Sequence, residues 1–433
     1  MPLALVVGCG LALRLVAAFV VQGYVDRQSP PRLCVFPDTG IYWLLAQTIR
    51  TGEPYQVSLW GVPHFALRTP GYPLFLAACQ GVFGERAVLP VRLVQAGLGA
   101  GYAWLVERLV RRVEAGGAGQ RHSFVSIAAA ALVAVDPYTV ALSVLVLSEA
   151  LFVPLMLAAL WGLAVLWPPS GVAQQSDEAG RSSLVALMTG LAAGSAILVR
   201  PSWALFIPAV LLAWIVLSRS LDRRAAVRGA LVVSLGVAIA MAPWWIRNAR
   251  VFGRFIPSAL WEGPSLYDGL NPQATGASDM RFLDDREIRR LDEETLDASL
   301  RSQAWAFARA HPARALELAL IKTARFWSPW PNAETLRSPL IAVASAIVTL
   351  PIYALMIAGA WDRRRDLRAL ILLAGPLLYF WVLHTIFVGS IRYRIPAAVP
   401  ALGLAAMGAE RLLRSWPWLK PKILAPGPNL GGA

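Results

Sequence analysis

Hydrophobic and polar positions are spread unevenly along this chain. Apolar runs long enough to cross a bilayer, about 20 residues each, recur at roughly ten places. They lie near residues 2–21, 88–108, 124–137, 149–167, 183–199, 201–218, 229–247, 338–360, 368–388 and 395–413. The runs at 124–137, 183–199 and 201–218 are short or broken by proline, and an apolar hairpin around 72–83 is either re-entrant or a further span. This pattern predicts an all-α polytopic membrane protein with about 10–12 transmembrane helices. Two long interruptions, 22–87 and 248–337, break the rhythm. In the first, Ile41, Tyr42, Leu45 and Ile49 keep helical spacing after Pro37 and Asp38, and Gly52 follows, so an amphipathic helix is expected. In the second, 284–300 and 312–326 read as two helices, the latter with Pro312 in its first turn. That second helix is expected to lie on the membrane through Leu316, Leu320, Phe326 and Trp327, with Lys322 and Arg325 facing the headgroups.

Composition agrees with this pattern. Of 433 residues, 57% are hydrophobic and 15% charged, and the mean hydropathy is +0.55, values of a multi-spanning membrane protein rather than of any soluble class. Seventeen Trp suit the aromatic belts at lipid–water interfaces. The net charge of +14 sits in short loops between apolar runs, so it points away from a nucleic-acid partner. Basic loops at 108–121, 219–228 and 363–368, and the tail after Arg411, all fall on one face when the spans are counted. The positive-inside rule makes that face cytoplasmic, with both termini on it. The loops 22–87 and 248–337 then lie outside, away from cytoplasmic nucleotide sugars and ATP. The expected organisation is an N-terminal module 1–247, an outer helical segment 248–337, terminal spans 338–413 and a disordered tail 414–433. The first apolar run has a signal peptide's length, but Arg14 interrupts it and no small-residue cleavage site follows, so it is read as a retained span.

Few residues carry chemistry. Three Cys and four His show neither disulfide nor metal-ligand spacing, and no phosphate loop, dinucleotide fingerprint or nucleophile elbow is present. No cofactor is predicted, and a divalent cation is left open. Asp38 follows the first span at the outer face, where it can cap the next helix or act as general base on an acceptor hydroxyl. Arg68 opens the sequence RTPGYP, whose prolines and glycine fix a compact turn, and Tyr72 within it reads as an interface aromatic. Asp136 ends one span and Glu149 begins the next. Acids at that depth are costly, so capping or pairing to Arg14 or Arg200 competes with a place beside an outward-facing cavity, to which Arg68, Tyr72 and Tyr42 are also assigned. Arg200, Arg247, Arg392 and Arg394 all fall at the outer face, against the positive-inside trend. An anionic lipid-linked phosphate gives that placement a reason.

The order of these motifs resembles a known family. An Asp shortly after the first span, R-x-P-G-Y-P, S-E-x-L-F, R-P-S, P-W-x-x-R-N and a late R-Y-R-x-P-x-x-P follow one another over residues 1–400. Together they are similar to the family-39-like integral membrane glycosyltransferases of the GT-C group, which includes the dolichyl-phosphate-mannose-protein mannosyltransferases and the RgtA/B/C/D-like bacterial enzymes. The resemblance implies a GT-C bundle in a bacterial inner membrane. Its donor would be a polyprenyl-phosphate-linked sugar, and its acceptor a glycan, lipid or protein at the periplasmic face. It implies Asp38 as the catalytic acid of the first outer loop, with Arg392 and Arg200 on the lipid phosphate. Asp38 is followed by Thr39, where protein mannosyltransferases carry a second acid, which weakens the case for a protein acceptor. A polyprenyl-linked glycan flippase or a non-catalytic lipid-binding assembly subunit are the competing readings.

Overall fold

The computed structural model describes residues 2–28, 35–115, 123–169, 179–218, 220–332 and 338–415. Among them are eighteen α-helices and one small hairpin. The first helix, α1 (Leu3–Asp26), is apolar all round and precedes the amphipathic α2 (Pro37–Thr51). Pro37 sits in the first turn of α2, and Gly52 ends it in the left-handed conformation at φ 74°, as the sequence spacing predicts. Two short strands follow, β1 (Val57–Leu59) and β2 (Val62–His64), paired antiparallel with Val57 opposite His64. The intervening Trp60 and Gly61 both have positive φ, 54° and 85°, which matches the right-handed twist of a two-residue hairpin. The sequence pattern does not announce this hairpin, because Trp is an unusual residue for that turn.

α3 (Gly71–Phe83) and α4 (Val88–Ala115) lead into a broken element, α5 (Phe124–Val135) and α6 (Pro137–Val144), bent by 56° at Asp136–Pro137. Next come α7 (Glu149–Leu166), α8 (Ala179–Val199), α9 (Phe206–Leu217) and α10 (Ser220–Phe252). α7 is apolar on every face and is the most buried of the long apolar helices, as an all-round hydrophobic helix must be. The segment 248–337 contains α11 (Glu262–Gly269), α12 (Glu293–Ala310) and α13 (Pro312–Phe326). α12 starts later than the spacing suggests because Asp292 caps it, accepting from the N–H groups of Glu294 and Thr295. The chain returns through α14 (Pro339–Asp362), the bent pair α15 (Leu367–Leu373) and α16 (Gly375–Ile386), α17 (Ile391–Ala398) and α18 (Leu402–Ser415).

Five helices are long and apolar enough to cross a membrane, seven if each bent pair counts once, among the described residues. The chain is a multi-pass membrane protein. Leu340, Val343, Ile347 and Ile357 leave the outer face of α14 bare, the surface a lipid-facing helix presents. The tail beyond Ser415 lies outside the described residues.

Two expectations for the segment 248–337 need correction. Leu316 and Leu320 of α13 are exposed, but Phe326 is buried, and Lys322, expected at the headgroups, is completely buried. Leu318, Lys322 and Phe326 share the inward face because they are four residues apart.

Candidate active site

The site is built where four chain segments meet at one end of the bundle. Asp38 lies in the first turn of α2, but it does not cap the helix: the N-cap residue is Phe36, without a side-chain bond. Its carboxylate instead faces two arginines. Arg392 Nη1 donates to Asp38 Oδ2 at 2.9 Å, and Arg68 Nη2 lies 3.5 Å from Asp38 Oδ1. Arg392 also donates through Nε to Glu149 Oε1 at 2.7 Å, and Arg200 Nη1 reaches the same oxygen at 2.8 Å. Ser148 Oγ donates to the other Glu149 oxygen at 3.2 Å. Arg392 therefore bridges two carboxylates that are 111 residues apart in the chain (149 − 38).

Local sequence explains how these groups converge. Thr39 Oγ1 donates to the Val146 carbonyl at 2.7 Å, joining the start of α2 to the linker that ends at Glu149. Arg92 supports that linker from α4, donating to the Val144 carbonyl at 2.8 Å. In RTPGYP the glycine is required: a Cβ on Gly71 would stand 2.7 Å from the Leu198 backbone. Only glycine lets α3 approach the last turn of α8, and this brings Arg68 and Arg200 to the same place. Arg68 is further fixed between the rings of Trp261, 5.4 Å from its centroid, and Tyr42, 6.0 Å.

The two acids differ in access. The Glu149 side chain is wholly buried, whereas 37% of the Asp38 side chain is exposed, so only Asp38 can meet an incoming hydroxyl. Burial alone would push the Asp38 carboxyl up, but Arg392 and then Arg68 outweigh it and hold it below the ordinary carboxylate range. Three arginines face two carboxylates, which leaves one positive charge in the cluster. Arg200 Nε is buried without a hydrogen-bond partner among the described residues. Those residues contain no group of three or more His, Cys, Asp or Glu able to hold a metal ion.

Other expected site residues are not brought to this cluster. Arg394, two positions after Arg392, turns away and donates to the carbonyls of Phe326 and Ser328 at 2.9 and 2.5 Å. Arg247 binds the carbonyls of Phe65 and Tyr55 at 2.7 and 2.6 Å and so braces the hairpin loop. Asp136 caps α6 by accepting from the Thr139 N–H at 2.8 Å. Arg14 forms no ion pair with either acid and donates instead to the Val133 and Ala134 carbonyls. Tyr72 is not an interface aromatic: it is fully buried, edge-on to Tyr42 at 5.1 Å, and accepts from Gln95 at 2.8 Å. Sequence reasoning misses Tyr393, whose ring lies 5.6 Å from the Arg200 guanidinium and stacks on His384 at 4.0 Å, and Phe36, 5.4 Å from that of Arg392. Tyr393 adjoins two arginines that the motifs pick out, and Phe36 lies two positions before Asp38.

The fold has relatives. An archaeal oligosaccharyltransferase, AglB from Archaeoglobus fulgidus, solved with an inhibitory peptide and a dolichol-phosphate, superposes over 94% of this chain. Its TM-score is 0.58 at 14% identity, covering 50% of that protein. The same enzyme with Zn and sulfate gives 0.57 at 14% identity, over 95% of this chain and 49% of that one. The chain has the GT-C fold. It spans about half the length of those oligosaccharyltransferase structures. Residues 67–246 of this GT-C protein match the dolichyl-phosphate-mannose-protein mannosyltransferase family, so the resemblance read from the motifs stands. That segment carries Arg68, Glu149 and Arg200 but neither Asp38 nor Arg392. ArnT from Cupriavidus metallidurans bound to undecaprenyl phosphate also aligns, with a TM-score of 0.42 at 16% identity over 94% of this chain and 77% of that one. No curated relative matches the sequence.

Proposed function

We propose that this protein is a membrane glycosyltransferase that moves a sugar from a polyprenyl monophosphate to an acceptor at the outer face of a bacterial inner membrane. The observation that carries this reading is the accessible Asp38 carboxylate held against Arg392, in a cluster with one surplus positive charge. A donor phosphodiester bears one negative charge, which that surplus matches. The similarity of residues 67–246 to the mannosyltransferase family, and the dolichol-phosphate in the AglB structure, support the same donor class.

The chemistry follows from the geometry. The acceptor oxygen attacks the anomeric carbon as the bond from that carbon to the phosphate oxygen breaks, and the acceptor proton passes to Asp38. Charge grows on the departing phosphate, so Arg392, Arg200 and Arg68 stabilise the transition state more than the ground state. Phosphate is already a good leaving group and needs no general acid. Arg392 is the group that most depresses the Asp38 carboxyl. A donor that engages Arg392 loosens its hold on Asp38 and makes the base stronger when it is needed. A single displacement inverts the anomeric centre. The basic loops support an orientation with the termini in the cytoplasm and Asp38 outside, with a glycan or lipid acceptor favoured over protein because Thr39 follows Asp38.

The test uses purified protein in lipid discs with a panel of radiolabelled polyprenyl-phosphate sugars. Release of polyprenyl phosphate by the wild type but not by Asp38→Asn is the expected result. Donor binding without turnover in either protein would overturn the reading in favour of a flippase or a lipid-binding subunit.

A further inference from the structure

Arg392 follows a turn that the outer segment grips from several sides. Lys322 on α13 is completely buried, and its ammonium donates to the Ile386 carbonyl at 2.6 Å and the Thr385 carbonyl at 3.3 Å. Those are among the last carbonyls of α16, which lack partners within their own helix and carry the negative end of its dipole. Three residues on, a Cβ at Gly389 would meet the Lys322 carbonyl oxygen at 2.5 Å and its Cα at 2.6 Å, so only glycine lets the turn lie this close to α13. Arg325 Nε donates to the Gly389 carbonyl at 3.1 Å, and the Gly389 N–H donates to the Gly276 carbonyl at 3.2 Å. The Ile391 N–H donates to Asn332 Oδ1 at 3.2 Å, and Ser390 Oγ accepts from the Arg392 N–H at 3.2 Å. The backbone from Thr385 to Ile391 is thus tied at four residues to the outer segment, immediately before Arg392.

We propose that Lys322 is a positioning residue, which caps α16 and anchors the turn 386–390 so that Arg392 meets both Asp38 and Glu149. It touches neither carboxylate and acts only through the backbone. A surface-lying amphipathic helix has no need of a lysine that is fully buried, whereas a turn that must aim a guanidinium between two acids needs a rigid support. The outer segment is then a brace for the cluster rather than a cap on the bundle. Asp268 in α11 supplies the nearby negative charge for the Lys322 ammonium. The role of Arg392 in phosphate binding rests on the function proposed above, but the aim of its side chain at Asp38 does not.

The test therefore reads Asp38 directly. Carbodiimide labelling of the Asp38 peptide is followed against pH by mass spectrometry in full-length wild type, Lys322→Met, Arg392→Ala and the double variant. Removing an arginine from a carboxylate raises its midpoint by about one unit or more. The expected result is an upward shift in Lys322→Met, a shift in Arg392→Ala, and no further shift when Lys322→Met is added to Arg392→Ala. Restoration of the wild-type midpoint in Lys322→Arg would support the same conclusion. An Asp38 midpoint unmoved by Lys322→Met while Arg392→Ala shifts it would overturn the proposal, as would equal shifts from Lys322→Met in both backgrounds. Should Lys322→Met fail to assemble, Gly389→Ala probes the same contact from the other side with the same outcomes. Binding of polyprenyl monophosphate to the four proteins separates the two claims. If Arg392→Ala moves the Asp38 midpoint yet binds the lipid as wild type does, the phosphate reading falls and the positioning role stands.

Discussion

Arg392 and Arg394 stand two residues apart on one short helix and have opposite fates. Arg392 lies between the carboxylates of Asp38 and Glu149, while Arg394 is buried against the Phe326 and Ser328 carbonyls. Residues i and i+2 of a helix face nearly opposite sides, so about half a turn of backbone separates an arginine held by carboxylates from one held by carbonyls. The difference lies in what each guanidinium could give up. A carboxylate partner can yield its arginine to a phosphate of the same charge, because the cation keeps an anion. A buried carbonyl pair cannot, since removing the donor leaves two polar groups without partners, at about 1–3 kcal/mol each. Arg200 and Arg68 belong with Arg392; Arg247 and Arg14 belong with Arg394.

The sharpest way to break this comparison is at the anion itself. Asp38→Asn keeps the size of the side chain and removes the base, so transfer should fall about a thousandfold, with donor affinity unchanged or tighter because Arg392 loses a competitor. Single-turnover rates and donor binding in lipid discs measure both. Near-wild-type rates in folded Asp38→Asn would move Asp38 from the chemistry to the scaffold.

The arginine pair comes next. Arg392→Lys retains charge but not the two-pronged geometry, and should lower transfer about tenfold to a hundredfold with little change in thermal midpoint. Arg394→Met should do the reverse, costing about 2–4 kcal/mol of stability for two orphaned carbonyls while leaving the rate per folded molecule near wild type. Equal effects on rate and stability in both variants would erase the distinction. A smaller effect is expected at Gly71. Its added methyl in Gly71→Ala must push α3 away from the α8 backbone, at about 1–3 kcal/mol. It should also separate Arg68 from Arg200, raising the donor KM more than it lowers kcat.

Much of this site is legible in the amino-acid sequence. Asp38, Arg68, Glu149, Arg200 and Arg392 each stand out as a charged residue at membrane depth or beside a rigid turn, and the helix from Pro37 to Gly52 follows from its spacing and caps. Other features are hidden for physical reasons. Arg392 and Arg394 look alike as cations of one short motif, and only the helical phase of α17 tells them apart. Lys322 misleads because a lysine on an amphipathic helix ordinarily marks the wet face. Its spacing from Leu318 and Phe326 places it on the buried one, where it serves carbonyls 63 and 64 residues away. The hairpin at Val57–His64 is hidden by Trp60, which lacks the usual preference for positive φ. Interactions between distant segments, such as Arg392 with Glu149 across 243 residues, leave no local pattern to read.

The last expected effect concerns the support of Arg68 rather than the cluster, and it touches stability alone. Glu293, at the start of α12, accepts from the Phe65 N–H at 2.7 Å and from the Ala66 N–H at 2.9 Å, just before Leu67 and Arg68. Burial pushes its carboxyl up from 4.5 to about 7, despite the two N–H bonds and Arg247, which pull it down. A carboxyl raised in the folded state stabilises the fold fully below the unfolded value, and that contribution is lost as pH rises through the folded one. Wild type should therefore lose stability between about pH 4.5 and 7, by no more than about 3.5 kcal/mol at 1.4 kcal/mol per unit. Glu293→Gln cannot titrate, so the thermal midpoint of wild type minus that of Glu293→Gln should fall by a few degrees across this window. A difference that stays flat would show that Glu293 is ionised throughout and holds Phe65 and Ala66 as a carboxylate. In that case Arg247, which donates to the carbonyl of the same Phe65 whose N–H Glu293 accepts, would be the counter-charge that keeps it so, and Arg247→Met should then expose the missing titration.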